Sequence, residues 1–222
     1  MASKQSSSDK KFWSNPYMPA DVSNEYWASL SDEHRALYGV VRPLAKAGWE
    51  ADMHLQSIES FLADQEQTMT SMGGRFTLEP DFQRGHVWTD EQRVRYIEAL
   101  IRGIAPKTLL FNCPSWSKLS DVGGDIGQHV FECVDGLQRL TSIRRFMAGE
   151  LTVFNGMTAA DLRGGPFDPR RYTVKLSVYN FVWRAQLLQF YLDLNSGGTV
   201  HSDSELERVR ALRDQAAPVA QS

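Results

Sequence analysis

Cysteine is scarce in this sequence, and long apolar runs are missing. The two cysteines, Cys113 and Cys133, form no CxxC pair, which argues against a zinc ribbon and against a disulfide framework. No apolar run approaches membrane-spanning length, and the polar residues Met1 to Lys10 contain no segment typical of a secretory signal. We therefore expect a soluble, cytoplasmic protein with reduced core cysteines and no membrane partner.

A large excess of either charge is also missing. Lys and Arg number 24 and Asp and Glu 27, so the net charge is −3 at pH 7. A chain with this balance has no overall field that attracts DNA or an acidic membrane. Any contact with nucleic acid would depend on a local cluster, such as Arg144-Arg145 or Arg170-Arg171.

The pattern of apolar residues predicts one α+β domain with additions at both ends. Residues 1–11 are polar and predict a flexible tail, and residues 215–222 predict a frayed C-terminus. Residues 54–214 alternate between helical and strand periodicity, which predicts a small mixed sheet with surrounding helices. Residues 12–53 form an aromatic-rich N-terminal appendage that either folds over the main core or binds a partner; its aromatic residues are Phe12, Trp13, Tyr17, Tyr26, Trp27 and Trp49.

One motif lies where a buried strand is predicted to give way to a helix. Residues 129–134 are apolar enough for a buried strand, and helical spacing follows at Leu140, Ile143 and Met147. The five residues between these segments, Asp135-Gly136-Leu137-Gln138-Arg139, are therefore predicted to form a strand-to-helix turn.

Such a turn is suited to binding an anion, because backbone N–H groups and the positive end of the helix dipole meet there. Gly136 lets a phosphate approach the backbone, Arg139 can clamp it, and Asp135 can hold Mg²⁺ or orient water. The alternative is purely structural: Asp135 caps the helix and Gln138 closes a capping box.

Two further segments combine polar groups with turn residues. Residues 80–88 contain Gln83, Arg84 and Trp88 just before a helix that Thr89 is predicted to cap and Gly103 to end. Arg84 could meet the same anion, or it could pair with a surface acid while Phe82, Val87 and Trp88 enter the core. Asn195-Ser196-Gly197-Gly198 could cradle an anion, or it could simply end a helix.

These motifs, in this order, resemble the large bacterial and phage family of domains with a DGQQR motif. The GmrS half of the GmrSD type IV restriction system belongs to that family. The resemblance extends from about Ser57 to Leu212, with Leu137 replacing the first glutamine of the DGQQR box. It is carried by Gln83-Arg84 with Trp88, a Gly103 to Pro106 turn, a strand at Thr108 to Phe111, the Asp135 to Thr141 box and the Asn195 to Thr199 segment.

The resemblance implies a ParB/sulfiredoxin-like fold that places a nucleoside triphosphate against the DGxxR turn. It further implies Mg²⁺ at Asp135 and catalysis by Asp135 and Gln138. The nucleotide-binding residues that it implies are Gln83, Arg84, Gly136, Arg139, Asn195, Gly197 and Gly198. In restriction-type relatives this domain is an NTPase that gates a separate HNH nuclease domain.

The nuclease half is not expected in this chain. Only residues 202–222 follow His201, and the five histidines form neither an HNH nor an HExxH pattern. We therefore expect a standalone domain.

Three functions remain open from the sequence. The leading hypothesis is an NTP-binding protein that acts as a Mg²⁺-dependent phosphohydrolase in a bacterial or phage nucleic-acid process. The second is a non-catalytic module, phage- or defence-related, that binds DNA, a separate nuclease or another defence protein. The third is a nuclease whose metal site uses Asp135, Glu132 and Asp125. The first hypothesis requires the three motifs to converge on one surface, and the third requires three carboxylates to converge.

Overall fold

The computed structural model describes residues 22–41, 43–83, 85, 87–116, 124–196 and 203–216. The predicted N-terminal tail and the end of the predicted C-terminal fray, residues 217–222, lie outside these residues. The same holds for Phe12, Trp13 and Tyr17 of the predicted appendage. The chain divides into two compact units, Met1–Lys46 and Ala47–Ser222.

The first unit contains two short helices, α1 (Asn24–Ser29) and α2 (Asp32–Val41). Ser23 caps α1 by accepting a hydrogen bond from the backbone N–H of Tyr26 at 3.2 Å. The helices are joined by an edge-to-face contact between Trp27 and Tyr38, whose ring centroids lie 5.3 Å apart. Aromatic residues of this segment therefore pack on one another.

The second unit is built on a five-stranded mixed sheet with strand order β1-β5-β3-β4-β2. Its strands are β1 (Trp49–His54), β2 (Arg75–Thr77), β3 (Thr108–Asn112), β4 (Val130–Asp135) and β5 (Thr173–Tyr179). β1 pairs antiparallel with β5, and β3 pairs antiparallel with β4. The β3–β5 and β2–β4 pairs are parallel.

Helices cover both faces of this sheet. Successive side chains of a strand point to opposite faces, so neighbouring residues of one strand enter different cores. Phe111 and Phe131 belong to a core that also contains side chains of the helices α3 (Ile58–Ser71), α4 (Asp90–Ile101) and α5 (Leu137–Met147). Leu110 and Val134 belong to a second core with side chains of α6 (Arg184–Ser196) and α7 (Asp203–Gln215). The two cores fix β4 between two layers of helices.

The predicted α+β architecture, a mixed sheet with surrounding helices, is confirmed. The predicted cap of α4 is also confirmed, since Thr89 and Gln92 form a reciprocal capping box at 3.3 and 2.9 Å. Gly103 follows that helix with a φ of +81°. One strand differs from the sequence analysis: β1 begins before residue 54, the predicted start of the domain, and it pairs with β5 along its whole length.

Candidate functional site

The turn between β4 and α5 has the predicted strand-to-helix geometry. Asp135 ends β4, Gly136 stands at the N-cap position with a φ of +99°, and α5 begins at Leu137. Glycine is required here for two reasons. The positive φ disfavours any side chain, and a Cβ at this position would lie 2.7 Å from Cδ2 of Leu109. The turn is therefore pressed closely against β3.

Asp135 and Arg139 form an ion pair across the first turn of α5. The Nη2 of Arg139 donates to Oδ2 of Asp135, four residues earlier. The side chain of Asp135 is 39% exposed and that of Arg139 is 19% exposed, so solvent reaches this pair. The Nε of Arg139 is buried and has no hydrogen-bond partner within the described part of the chain. Because that atom is closed off from solvent, only the exposed part of the guanidinium can reach a ligand.

The capping-box alternative for this motif is wrong. Gly136, not Asp135, is the N-cap residue, and no side chain caps the helix. The side-chain amide of Gln138 instead forms two hydrogen bonds with the segment at residues 80–88. Its Nε2 donates to the carbonyl oxygen of Gly85 at 2.8 Å, and its Oε1 accepts from the backbone N–H of Trp88 at 3.2 Å.

Gln138 thereby binds the second motif directly to the first. We call residues 80–88 the strap; the structure describes all of them except Arg84 and His86. Within the strap, Nε2 of Gln83 donates to the carbonyl oxygen of Cys133 in β4 at 2.6 Å. The Trp88 ring packs against Tyr96, with centroids 5.6 Å apart, whereas Val87 is exposed, so its predicted place in the core is wrong. Gln83, Gln138, Asp135 and Arg139 are therefore gathered at one end of β4, and the expectation for Arg84 lies outside the described residues.

The third motif is described only in part. Asn195 lies in the last turn of α6, where its Nδ2 donates to the carbonyl oxygen of Tyr191 at 2.7 Å. Tyr191 also packs against Phe82 of the strap at a centroid distance of 5.3 Å. The end of α6 thus lies one helical turn beyond a strap contact. Gly197 and Gly198 lie outside the described residues, so the predicted cradle stays a prediction.

The three carboxylates suggested for a nuclease metal site do not converge. Glu132 and Asp135 are three residues apart in β4, and alternation along a strand places them on opposite faces. Asp125 accepts a hydrogen bond from the backbone N–H of Arg184 at 2.6 Å. Within the described ranges, no three His, Cys, Asp or Glu side chains are arranged to hold a metal.

Glu132 is a buried carboxylate whose burial the sequence did not indicate. Its side chain is 2% exposed, and burial raises its pKa, although Asn112 and Arg75 act in the opposite direction. The Oε1 accepts from Asn112 at 3.4 Å, whereas Oε2 lies 3.8 Å from the Arg75 guanidinium without a hydrogen bond. A glutamate in an apolar strand is the only sequence feature that could have pointed to it.

The arginine clusters are largely neutralised by nearby carboxylates. Arg144 binds Glu59 through two hydrogen bonds of 2.5 and 3.1 Å. Arg145 binds Asp90 and Glu150, and Arg170 binds Asp168. A groove of about 590 Å³ nevertheless runs beside α5, and its lining includes Thr141, Arg144, Arg145 and Arg163.

Comparison with known families identifies the chain. The sequence model described as the GmrSD restriction endonuclease, N-terminal domain, matches residues 58–181. The chain belongs to this family. The matched residues include the strap and the turn at Asp135 to Arg139, but they end before α6 and the Asn195 segment. No curated protein and no solved structure matched the chain. Among the described residues, no helix combines the length and apolarity needed to cross a bilayer.

Proposed function

We propose that this GmrSD N-terminal domain binds a nucleoside triphosphate at the turn between β4 and α5 and hydrolyses it with Mg²⁺. We further propose that this activity serves a restriction-related nucleic-acid process. The observation that carries the proposal is the solvent-accessible ion pair of Asp135 and Arg139 at the start of a helix without a side-chain cap.

The electrostatics of the turn support phosphate binding. An uncapped helix start presents N–H donors and a partial positive charge. Arg139, in its ion pair with Asp135, brings a guanidinium group to the same point, and guanidinium groups bind phosphates through charge-assisted hydrogen bonds. Gln83 and Gln138 hold the strap beside the turn, so the site would have a second wall.

The residues of the turn fit Mg²⁺ only if substrate phosphates and water supply most of its ligands. Mg²⁺ in nucleotide sites is commonly held by one or two carboxylates together with substrate phosphates and water. Asp135 supplies one such carboxylate, and no protein-only cage is available within the described residues. When bound, Mg²⁺ would neutralise charge on the transferred phosphoryl group. Asp135 would hold the ion and Arg139 would hold the phosphates, while Gln138 would fix the strap rather than contact the ligand.

Thermal unfolding with ATP, GTP, CTP and UTP, each with and without Mg²⁺, tests the proposal. A ligand at a hundred times its Kd stabilises the native state by about 2.7 kcal/mol, which is a shift of several degrees. We expect at least one triphosphate to raise the Tm of the unmutated protein and of Arg95→Ala, an exposed arginine variant on α4, but not of Arg139→Ala. If no triphosphate raises the Tm of the unmutated protein, the proposal is refuted.

The groove beside α5 favours a second candidate, a module that binds a nucleic-acid backbone. Arg163 is exposed there, next to the paired Arg144 and Arg145. Binding of duplex DNA that weakens as salt rises, and that Arg163→Ala reduces, would support this candidate. Arg144 and Arg145 are ion-paired in the groove, as Arg139 is at the turn. The triphosphate site is the better-supported function because the helix start without a side-chain cap adds backbone N–H donors there.

A further inference from the structure

Arg208 in α7 forms two hydrogen bonds with the backbone of the strap. Its Nη1 donates to the carbonyl oxygen of Asp81 at 2.5 Å, and its Nη2 donates to the carbonyl oxygen of Phe82 at 3.0 Å. Both acceptors lie in a turn outside any helix or strand, so neither carbonyl belongs to a regular backbone ladder. One guanidinium therefore fixes two consecutive peptide groups from a helix 126 and 127 residues away in sequence.

The same end of the strap is anchored by α6. Nη2 of Arg184 binds both carboxylate oxygens of Asp81, at 2.6 and 2.7 Å. Phe82 is completely buried in the core that α6 and α7 share. This end of the strap is therefore attached to the α6–α7 layer of the domain.

The other end of the strap is attached to the α5 layer. Gln138 holds Gly85 and Trp88, and Gln83, the residue after Phe82, holds the backbone of β4. The strap thus connects α7 to the turn that carries Asp135 and Arg139. A displacement at Phe82 would pass to Gln83 through a single peptide bond.

We infer that Arg208 is a positioning residue for the nucleotide site: together with Gln83 and Gln138, it holds the strap in the conformation that forms the second wall of that site. This inference rests on the proposed function. Arg208 is better placed for this role than Arg184, because it binds the main chain of the strap, whereas Arg184 binds a side chain that is 62% exposed. Small displacements of positioning groups weaken binding and catalysis disproportionately.

The test combines Arg208→Ala with Arg210→Ala, an exposed arginine of the same helix, as the matched control. Hydrogen exchange without nucleotide is followed at two strap amides. The N–H of Gln83 donates to the carbonyl oxygen of Pro80 at 2.9 Å, and that of Trp88 donates to Gln138. We expect exchange at these amides to rise at least about tenfold in Arg208→Ala and to stay within about twofold of the unmutated protein in Arg210→Ala.

Calorimetric titration with the Mg²⁺ complexes of ATP, GTP, CTP and UTP supplies the second readout. We expect the Kd of the nucleotide that binds to rise about tenfold in Arg208→Ala and to stay unchanged in Arg210→Ala. Arg208→Lys keeps the charge and part of the donor capacity, so it should give intermediate values. If Arg208→Ala fails to fold, Arg208→Lys carries the same comparison.

Three outcomes would overturn the inference, and they are distinguishable. Unchanged strap exchange in Arg208→Ala shows that Arg208 does not hold the strap. Faster exchange with an unchanged Kd shows that it holds the strap without serving the site. If the unmutated protein binds none of the four nucleotides, the positioning role falls together with the proposed function, while the exchange measurement still decides separately whether Arg208 holds the strap.

Discussion

The Nε2 of Gln138 donates to the carbonyl oxygen of Gly85 at 2.8 Å, across 53 residues of sequence. Because Oε1 of the same amide accepts from the N–H of Trp88, the side chain joins two motifs that the sequence shows only as separate segments. The glutamine of the turn is therefore a structural link between the strap and α5.

Removing this link should loosen the strap and lower stability. We expect Gln138→Ala to reduce the free energy of unfolding by about 1 to 2 kcal/mol, since two backbone groups lose their partners and one of them is exposed enough for water to replace it. Urea denaturation measures this change in the free energy of unfolding. Gln67→Ala, an exposed glutamine on α3, is the control and should change stability by less than about 0.5 kcal/mol. Equal effects of the two variants would contradict the proposed link.

Gly136→Ala should destabilise the protein through both strain and overlap. The backbone has a φ of +99°, and the added Cβ would lie 2.7 Å from Cδ2 of Leu109. We expect a loss of about 2 to 4 kcal/mol, measured by urea denaturation. Gly149→Ala separates the two causes, because Gly149 has a φ of +81° and an added Cβ there would meet nothing within 4 Å. It should cost only about 1 to 2 kcal/mol. A similar loss in both variants would remove the close approach to β3 as a cause.

Local patterns account for the parts of the fold that the sequence predicted correctly. The capping box at Thr89 and the strand-to-helix change around Gly136 depend on residues within one or two turns of each other. β1 was missed because it is an edge strand in which only Ala51 and Met53 are partly buried, so its apolar alternation is weak. The ParB/sulfiredoxin-like relationship stays a prediction.

The polar contacts of the site could not be predicted, because their partners are distant in sequence. The position of Gln138 is typical of the second half of a capping box, and only the folded chain brings Gly85 within its reach. From the sequence alone, Arg144 is a candidate for binding phosphates. In the folded chain it is ion-paired with Glu59, which lies 85 residues earlier. Such pairings depend on the packing of α3 against the rest of the domain, which residue spacing within α5 does not reveal.

Glu132→Gln should stabilise the protein at neutral pH. Burial raises the pKa of Glu132 in the folded state above the unfolded value of about 4.3. The raised pKa therefore contributes stability that is fully present below that value, and this contribution is lost as the pH rises through the folded pKa. Glutamine does not ionise, so the variant should be more stable on the order of 1 kcal/mol at pH 7.

The difference between the two proteins should disappear near pH 4, where Glu132 itself is protonated. Urea denaturation at pH 7 and pH 4 provides the comparison. A variant that is less stable than the unmutated protein at pH 7 would show that the attraction of Arg75, 3.8 Å from Oε2, outweighs the cost of burial.

Asp135→Asn should separate nucleotide binding from hydrolysis. Asparagine keeps the size of the side chain and an oxygen that can accept from Arg139, but it removes the carboxylate charge. The loss of charge weakens the hold on Mg²⁺ and reduces the repulsion of the triphosphate. Nucleotide affinity without Mg²⁺ should therefore stay the same or rise. Mg²⁺-dependent phosphate release should fall tenfold or more, on the order of 1.4 kcal/mol in the barrier.

The control for this variant is Asp90→Asn, which also alters an aspartate that is ion-paired with an arginine; Asp90 lies in the first turn of α4. Asp90 binds Arg145 on the surface and has no place in the proposed site, so its variant should keep full phosphate release. Equal losses in both variants would assign the effect to weakened ion pairs rather than to metal binding. Unchanged release in Asp135→Asn would leave Asp135 as a structural partner of Arg139. If the unmutated protein binds nucleotide but releases no phosphate, the domain is a binding module, and Asp135 then matters only for Mg²⁺-dependent affinity.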